Sequence, residues 1–369
     1  MTGDKHVEPL ELFFDLVFVF ALTQVTARLA DDLSWAGLGR GLLVLALIWW
    51  AWAAYSWLTN EVDCSLQRVR LVIFASMICM LIASLAIPGA FEEDAVLFAV
   101  AYLGVRVLHV ALFLTATDSA DVRASARALT PTAVLAPALL LVGCAFDADV
   151  QTAIWVVALL IDYVGGALRG IEGWRLSPGH FAERYGLIVI IALGESIVAI
   201  GVGAEDVSLD AAALVSAALG VIVSASLWWL YFDDSLAEVE HRLRAATGAA
   251  RNLLARDCFA FLHLPLVAGI VLLALGVKKT LGDVDEPLAT VSAVALCGGT
   301  ALFLVADVAF RARSLGIVEV PRLTAAALCV VVVAFAGEVA APVALACVAA
   351  VCVGLVIAEA ALRQAQPSR

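Results

Sequence analysis

The chain has 369 residues, of which 63% are hydrophobic and only 15% are charged, and its mean hydropathy is +1.01. Soluble domains are about half apolar and about a quarter charged, so this composition excludes a water-soluble enzyme or binding domain. The formal net charge is −12, and no basic stripe with interleaved aromatic residues occurs, which leaves nucleic-acid binding without support.

Runs of about 17–25 mostly apolar residues predict twelve membrane-spanning helices. No alternating strand pattern appears, and helices satisfy their own backbone hydrogen bonds within hydrocarbon, so we expect an all-α polytopic integral membrane protein surrounded by the lipid bilayer. The predicted spans are residues 10–29, 38–58, 69–88, 95–117, 126–146, 150–169, 182–203, 211–231, 253–276, 288–310, 322–338 and 340–361.

The distribution of positive charge predicts the orientation of the spans. Arginines such as Arg123, Arg175 and Arg244 follow even-numbered spans, whereas the opposite set of turns is acidic, as at Glu92 and Asp283. Because cytoplasmic loops are enriched in Lys and Arg, we expect both termini in the cytoplasm and the chain in the inner membrane.

Short segments of the first half resemble segments of the second half in the same order, which predicts an internal repeat. We therefore expect two six-helix halves, residues 1–176 and 177–369, within a single membrane domain. The halves should have the same orientation because six is even. The matched positions are Gln24 with Glu195, Trp49 with Trp228, Arg106 with Asp307, and Asp162 with Glu359.

The first span carries ionisable residues, which are costly inside a membrane and ask for a partner, a water-filled cavity or a role. Glu11 and Asp15 are four residues apart and share a helix face, while Gln24 lies more than two turns deeper. Two interpretations stay open. Asp15 and Gln24 line an ion or solute pathway, or Glu11 lies in the interface and Asp15 caps a helix or pairs with an arginine.

Span seven opens with Glu183 and Arg184 and carries Gly194, Glu195 and Ser196 farther along. Glu195 lies about twelve residues, or roughly 18 Å, into the helix, which places it near the bilayer midplane. A carboxylate at that depth suits ion or proton handling, while a structural hydrogen bond is the alternative. Glycines such as Gly194 would allow a neighbouring helix or an ion to approach closely.

Span four places Arg106 and His109 on one helix face, and Arg106 is the only guanidinium predicted deep in the membrane. It requires a carboxylate, and Asp162, Asp15 and Glu195 are the candidates. His109 is either a proton relay or a hydrogen-bonded packing residue. We expect Glu195 to line the functional site with Asp15 and with Arg106 or Asp162 in reach.

Ionisable residues recur in the second half of the chain. Asp257, His263 and Asp307 lie within predicted spans, whereas Asp233, Asp234 and Glu338 fall near predicted ends, where solvation is expected.

Signals for cofactors and catalysis are missing from the sequence. There is no GxSxG, HExxH, P-loop or dinucleotide motif, and the eight cysteines form no CxxC pair or Cys/His cluster. We therefore expect no metal, no cofactor and no enzymatic activity.

The segments ELFFDLVFVFALTQVT at the N-terminus and ERYGLIVIIALGESIVAIG at 183–201 resemble the two signature segments of the bacterial low-temperature-requirement protein A (LtrA) family. The resemblance implies a multi-pass membrane protein linked by name to growth in the cold, and it implies no molecular activity. A shorter likeness of FFDLVFVFALT to the first helix of a bacterial and lysosomal potassium-channel family points toward an ion pathway. The residues that match the LtrA signatures are Glu11, Phe14, Asp15, Gln24, Glu183, Arg184, Gly194, Glu195 and Ser196.

Two functions are consistent with these residues. The first is a transporter or channel-like permease for an ion or small solute, with Asp15, Gln24, Arg106, His109, Asp162, Glu195 and Ser196 as the pathway residues. The second is a non-transporting scaffold, sensor or lipid-interacting protein of cold adaptation, in which the charges tie helices together. Either function is compatible with a homo-oligomer.

Overall fold

The computed structural model describes residues 6–117, 119–168, 173–205 and 207–365. Over these ranges the backbone is helical, and its only strand-like feature is an isolated bridge between Pro287 and Ala340. The helices are α1 (Pro9–Asp31), α2 (Trp35–Glu61), α3 (Gln67–Leu85), α4 (Ala95–Ala116), α5 (Ala120–Gly143), α6 (Ala148–Leu168), α7 (Pro178–Gly203), α8 (Ala211–Ala245), α9 (Gly248–Gly282), α10 (Thr290–Leu315), α11 (Val320–Ala336) and α12 (Ala341–Ala365).

Eleven of the described helices are long and apolar enough to cross a membrane, and α11 is a shorter apolar helix of 17 residues. Each predicted span falls on one helix, so the prediction of an all-α polytopic protein is confirmed. The helices α8 and α9 each have 35 residues, or roughly 52 Å of length against a hydrocarbon core of about 30 Å. One end of each helix therefore extends beyond hydrocarbon, and the last turns of α8, AEVEHRLRA, are polar.

The exposed faces of the helices carry apolar side chains, as expected for helices surrounded by lipid. On α3, the outward-facing Leu71, Ile78 and Leu85 are each more than half exposed, although all are strongly apolar. Burial is greatest along α2, α9 and α10, and it is least along α6. A protein that exposed so many large apolar side chains to water would aggregate, whereas lipid acyl chains can contact these side chains without an unfavourable change in free energy.

The chain forms two compact units. The first unit comprises Met1–Arg28, Gly39–Arg184 and Leu243–Arg256, and the second comprises Leu29–Leu38, Tyr185–Arg242 and Asp257–Arg369. In the first unit α3 packs on α4, α4 on α5 and α5 on α6. In the second unit α9 packs on α10, α10 on α11 and α11 on α12. The division of the sequence into halves at 176/177 stays a prediction.

Helices α9 and α10 approach each other at glycines. A Cβ atom added to Gly269 would lie 2.7 Å from the carbonyl oxygen of Gly299 and 2.7 Å from the backbone nitrogen of Phe303. Real Cβ atoms essentially never come so close to backbone atoms, so the two helices touch through their main chains here.

Three helices carry π-helical turns within the described ranges. These turns are Leu230–Leu236 in α8, Arg256–Phe261 in α9 and Val294–Gly298 in α10. A π-helical turn inserts an extra residue into the helical repeat, redirects the side chains around it and is often found at functional sites. The first turn carries Asp233 and Asp234, and the second carries Asp257.

Candidate functional site

The first turns of α1 and α7 bring four ionisable side chains together in the first unit. Glu11 and Asp15 are four residues apart on α1, and His180 and Arg184 are four residues apart on α7, so each pair occupies one helix face. None of these residues is more than 1% exposed. With Trp52 of α2 they form what we call the acid–base cluster.

The contacts within the acid–base cluster are short and specific. The Nε2 atom of His180 lies 2.9 Å from Oε2 and 3.1 Å from Oε1 of Glu11. Arg184 donates from Nη2 to Oδ1 of Asp15 at 3.0 Å, and its Nη1 is 3.6 Å from Oε1 of Glu11. The indole Nε1 of Trp52 donates to the same Oδ1 of Asp15 at 2.8 Å. Two carboxylates thus share one guanidinium and one imidazole.

The charge balance of this cluster depends on His180. With a neutral imidazole the two carboxylates and Arg184 sum to −1, and with a protonated imidazole they sum to zero. An uncompensated charge is expensive in a buried site, so the cluster has room for one proton. Across the described ranges, Oδ2 of Asp15, Nδ1 of His180 and Nε of Arg184 have no hydrogen-bond partner. These atoms of the cluster can therefore still accept or donate a hydrogen bond.

Arg106 of α4 is paired with Asp162 of α6. Its Nη2 atom lies 3.0 Å from Oδ1 and 2.9 Å from Oδ2, and the two residues are 3% and 4% exposed. Among the three candidate carboxylates for Arg106, the structure therefore selects Asp162. One cation facing one anion is a neutral pair, as expected for a link between helices.

That Arg106 is the only guanidinium deep in the membrane stays a prediction, but Arg106 is not the only guanidinium that is buried in the described part of the chain. Arg184 and Arg322 are each 1% exposed. Helix α7 begins at Pro178, which places Arg184 nearly two turns inside the helix rather than at its end. Arg322 lies in the first turn of α11, and carboxylates from three other helices enclose it.

Two other residues of the first unit have packing roles. His109 contacts the carbonyl oxygen of Ala54 through Nε2 at 3.1 Å, and its ring packs against Tyr55 and Phe113. This environment favours the packing interpretation of His109. Phe14 stacks on Tyr55 with ring centroids 4.9 Å apart, beside the acid–base cluster residue Asp15 in sequence.

The remaining signature residues of the first unit lie toward its surface. Gln24 is half-buried on α1, beyond Asp15 toward the far end of the helix. Glu183 is exposed, and its Oε2 accepts a hydrogen bond from the backbone nitrogen of Val7 at 3.4 Å.

Glu195 and Ser196 belong to the second unit and are 3% and 0% exposed. Glu195 is engaged by a partner, so it is not a free carboxylate. The prediction that Glu195 reaches Asp15, Arg106 or Asp162 stays a prediction. Gly194 faces open space, with no atom within 4 Å of an added Cβ, so close helix packing does not explain it.

A second ionic network, which the sequence did not predict, surrounds Arg322 in the second unit. Arg322 of α11 contacts Asp234 of α8, Asp307 of α10 and Glu359 of α12, and we call these four residues the Arg322 cluster. One signal pointed to it. The repeat matched Asp307 and Glu359 to the paired Arg106 and Asp162, and two acids at paired positions require a cation from a third helix.

The other ionisable residues of the second unit differ in their exposure and contacts. Asp233 and Glu338 are solvated as expected, but Asp234 is not, because its side chain is only 12% exposed and contacts Arg322. Asp257 pairs with Arg313 at 2.8 Å. His263 is fully buried and contacts the hydroxyl of Tyr231 at 2.6 Å.

The eight cysteines are all free. Over the described part of the chain no group of three His, Cys, Asp or Glu side chains has an arrangement that could hold a metal ion.

Comparison with known proteins places the sequence in a family. Residues 6–357 match the family model of the bacterial low temperature requirement A protein (LtrA). The chain belongs to the LtrA family. The chain is also similar to the uncharacterized protein RA0937 of Rhizobium meliloti (strain 1021), with 30% identity over 306 residues that cover 80% of this chain and 74% of the relative.

The LtrA signature segments acquire a physical meaning from the acid–base cluster. Glu11 and Asp15 come from the first segment, and Arg184 comes from the second. The two segments are far apart in sequence, and they meet through ion pairs inside the first unit.

Proposed function

We propose that this LtrA protein is a proton-coupled transporter or permease for an ion or small solute in the bacterial inner membrane. Its proton-binding site is the acid–base cluster. The proposal rests on one observation, which is that two fully buried carboxylates face one guanidinium and one imidazole. Such a site is charge-balanced only after it has taken up a proton.

Proton uptake changes the energetics of the cluster in a way that suits transport. When His180 is neutral, Glu11 lacks a full counter-charge and the site carries excess negative charge. When His180 is protonated, each carboxylate has its own cation and the site is neutral. Because a charge buried away from water is costly, the two states favour different arrangements of the helices around the site. That coupling is the physical requirement for a proton-driven cycle.

The packing of neighbouring helices supports the proposed internal repeat. The sequence of contacts from α3 to α6 in the first unit has a counterpart from α9 to α12 in the second. Many transporters are built from such repeats. In this proposal Asp15, Gln24, Glu195 and Ser196 belong to the pathway, whereas Arg106, Asp162 and His109 hold the first half together.

Reconstituted protein tests the proposal directly. The purified protein is reconstituted into proteoliposomes that contain a pH-sensitive dye. We expect the internal pH of the proteoliposomes to change when a transported ion or solute from a test panel is added outside. Glu11→Gln leaves Asp15 balanced by Arg184, so we expect a folded protein whose proton flux falls at least tenfold. Glu93→Gln removes an exposed carboxylate of the α3–α4 turn and should leave the flux unchanged.

The second candidate function is a scaffold or lipid-interacting protein, and the neutral Arg106–Asp162 pair favours it. In that case the wild-type protein shows no flux with any member of the panel. A wild-type flux that Glu11→Gln and Asp15→Asn both leave unchanged would also contradict the acid–base cluster as the proton site.

A further inference from the structure

We propose that the Arg322 cluster of the second unit is a second proton-binding site, in which Asp234, Asp307 and Glu359 together hold one proton. This site shares no residue with the acid–base cluster, and it does not depend on the proposed transport activity.

Arg322 is at the centre of the cluster, and three carboxyl groups converge on its guanidinium. Its Nε and Nη2 atoms donate to the two oxygens of Glu359, each at 2.8 Å. The same Nη2 donates to Oδ2 of Asp234 at 3.0 Å, and Nη1 contacts Oδ2 of Asp307. Arg322 is 1% exposed and Asp307 is fully buried, so water does not screen these charges.

The π-helical turn of α8 supplies part of this arrangement. Ser235 lies in that turn, and its Oγ accepts from Nη1 of Arg322 at 2.9 Å while donating to the carbonyl oxygen of Leu230 at 3.3 Å. Nη1 of Arg322 also lies 3.4 Å from that carbonyl oxygen. The extra residue of the turn thus brings Asp234 and Ser235 to the same guanidinium.

The charges on every helix around the cluster leave it with too many acids. Arg363 of α12 contacts Asp234 and Asp233, and Arg311 of α10 contacts Glu238 and Glu319. Even if Arg322 and Arg363 are both assigned to the three inner carboxylates, the sum is −1. Among the ion pairs of the described residues, the outer acids Asp233, Glu238 and Glu319 are in contact with Arg363 or Arg311 and add three negative charges against the further cation Arg311. The surroundings therefore add negative charge rather than removing it.

His263 and Tyr231 do not supply the missing positive charge. The Nδ1 atom of His263 lies 2.9 Å from the carbonyl oxygen of Cys258, and its Nε2 lies 2.6 Å from the hydroxyl of Tyr231. In the neutral tautomer Nδ1–H donates to the carbonyl and Nε2 accepts from Tyr231, so both ring nitrogens are satisfied without an extra proton.

An independent observation points to the proton itself. Oδ1 of Asp307 is buried and has no hydrogen-bond partner in the described part of the chain, although Oδ2 of the same carboxyl group contacts Arg322. In addition, Nη2 of Arg322 donates to Oδ2 of Asp234 at 3.0 Å and to Oε2 of Glu359 at 2.8 Å, so these two carboxyl groups converge on one nitrogen atom. Two ionised carboxylates this close repel each other, and a proton on one of them removes the repulsion. One proton among the three acids also brings the inner charge to zero.

Infrared difference spectroscopy of the purified full-length protein tests this inference. A protonated carboxyl group has a C=O stretching band that ionised carboxylates lack and that shifts in D₂O. We expect wild-type protein to show such a band at neutral pH. Glu359→Gln removes one negative charge, so the remaining acids are balanced without a proton. This variant should fold as well as wild type and lose the band.

The controls separate this site from the rest of the molecule. Asp234→Asn and Asp307→Asn should also lose the band, which keeps the test valid if one variant does not fold. Glu338→Gln, an exposed carboxylate beyond α11, should keep it, as should Glu11→Gln in the acid–base cluster. Absence of the band from wild-type protein, or its persistence in all three cluster variants, would overturn the inference whether or not the protein transports anything.

Discussion

At the scale of single residues, this LtrA protein uses one arginine for more than one acid. Arg184 serves both Glu11 and Asp15, and Arg322 serves three carboxylates, whereas Arg106 serves only Asp162. The difference matters because one arginine with one carboxylate is already neutral. A cluster with more carboxylates than arginines is neutral only after it binds a proton. Stoichiometry therefore distinguishes the structural pair from the candidate proton sites.

Arg184 is the residue whose loss should cost the most in the first unit. Arg184→Gln leaves Glu11 and Asp15 buried together with only His180 to balance them. We expect the free energy of unfolding to fall by about 3–5 kcal/mol, as for other broken buried ion pairs. The measurement is thermal or denaturant unfolding of the detergent-solubilised protein.

Arg313 offers a matched control for this prediction. Its side chain is 45% exposed and pairs with Asp257, so Arg313→Gln should cost less than about 1 kcal/mol. Adding Asp15→Asn to Arg184→Gln should recover part of the lost stability, because one stranded charge is removed. Equal losses for Arg184→Gln and Arg313→Gln would contradict the assigned role of Arg184.

The buried ion pairs show which parts of the candidate site the sequence alone could predict. Asp162 was among the candidate partners of Arg106 because both lie deep in strongly apolar segments. The pairing of Asp15 with Arg184 spans 169 residues, and hydropathy places Arg184 at the end of its span. Only the earlier start of α7 reveals that it is buried. The Arg322 cluster was missed for a similar reason, since Asp234 and Arg322 lie at helix positions where solvation is the ordinary expectation.

At the scale of helices, the length of the apolar runs was enough to predict every span, because lipid requires about twenty apolar residues for each crossing. The same runs could not reveal the π-helical turns, because hydropathy carries no information on the hydrogen-bonding register of a helix. Backbone contacts between helices were equally invisible, because a glycine in an apolar run has the same appearance whether it packs or faces lipid. Gly269 and Gly354 illustrate the two cases.

The contact of α9 with α10 should be sensitive to a single methyl group. A side chain at Gly269 meets backbone atoms of Gly299 and Phe303, which cannot move aside cheaply. We expect Gly269→Ala to destabilise the protein by about 1–3 kcal/mol through overpacking. The measurement is again the unfolding free energy in detergent.

Gly354 of α12 provides the comparison for Gly269. It has no atom within 4 Å of an added Cβ, so Gly354→Ala should leave stability unchanged or raise it slightly, because alanine favours the helix. If both substitutions have the same effect, the close approach of α9 and α10 does not contribute to stability.

At the scale of the whole molecule, the LtrA chain couples two requirements. Its outer surface is apolar enough for lipid, while each compact unit contains a buried network with more acids than arginines. A scaffold has no need for the second property, because neutral pairs such as Arg106–Asp162 connect helices at lower electrostatic cost. The excess of buried acid in both units is thus the feature of this protein that distinguishes it from a scaffold.

The orientation of the chain in the membrane is the last prediction, and it follows from the loops. Arg242 and Arg244 at the polar end of α8, with Arg251 at the start of α9, flank the short connection between these two helices, and arginines beside short connections favour the cytoplasmic side. Both termini should share that side, because an even number of spans separates each of them from this loop. Reporter fusions after residues 122, 176, 246 and 316 should therefore read as cytoplasmic. Fusions after residues 93, 148, 206 and 284 should read as external, and residue 206 lies outside the described residues. A matched variant with Arg242, Arg244 and Arg251 changed to Gln should weaken the preference without moving the spans. An inverted pattern in wild-type protein would exclude the predicted orientation, and an odd number of crossings would exclude the parallel arrangement of two six-helix halves as well.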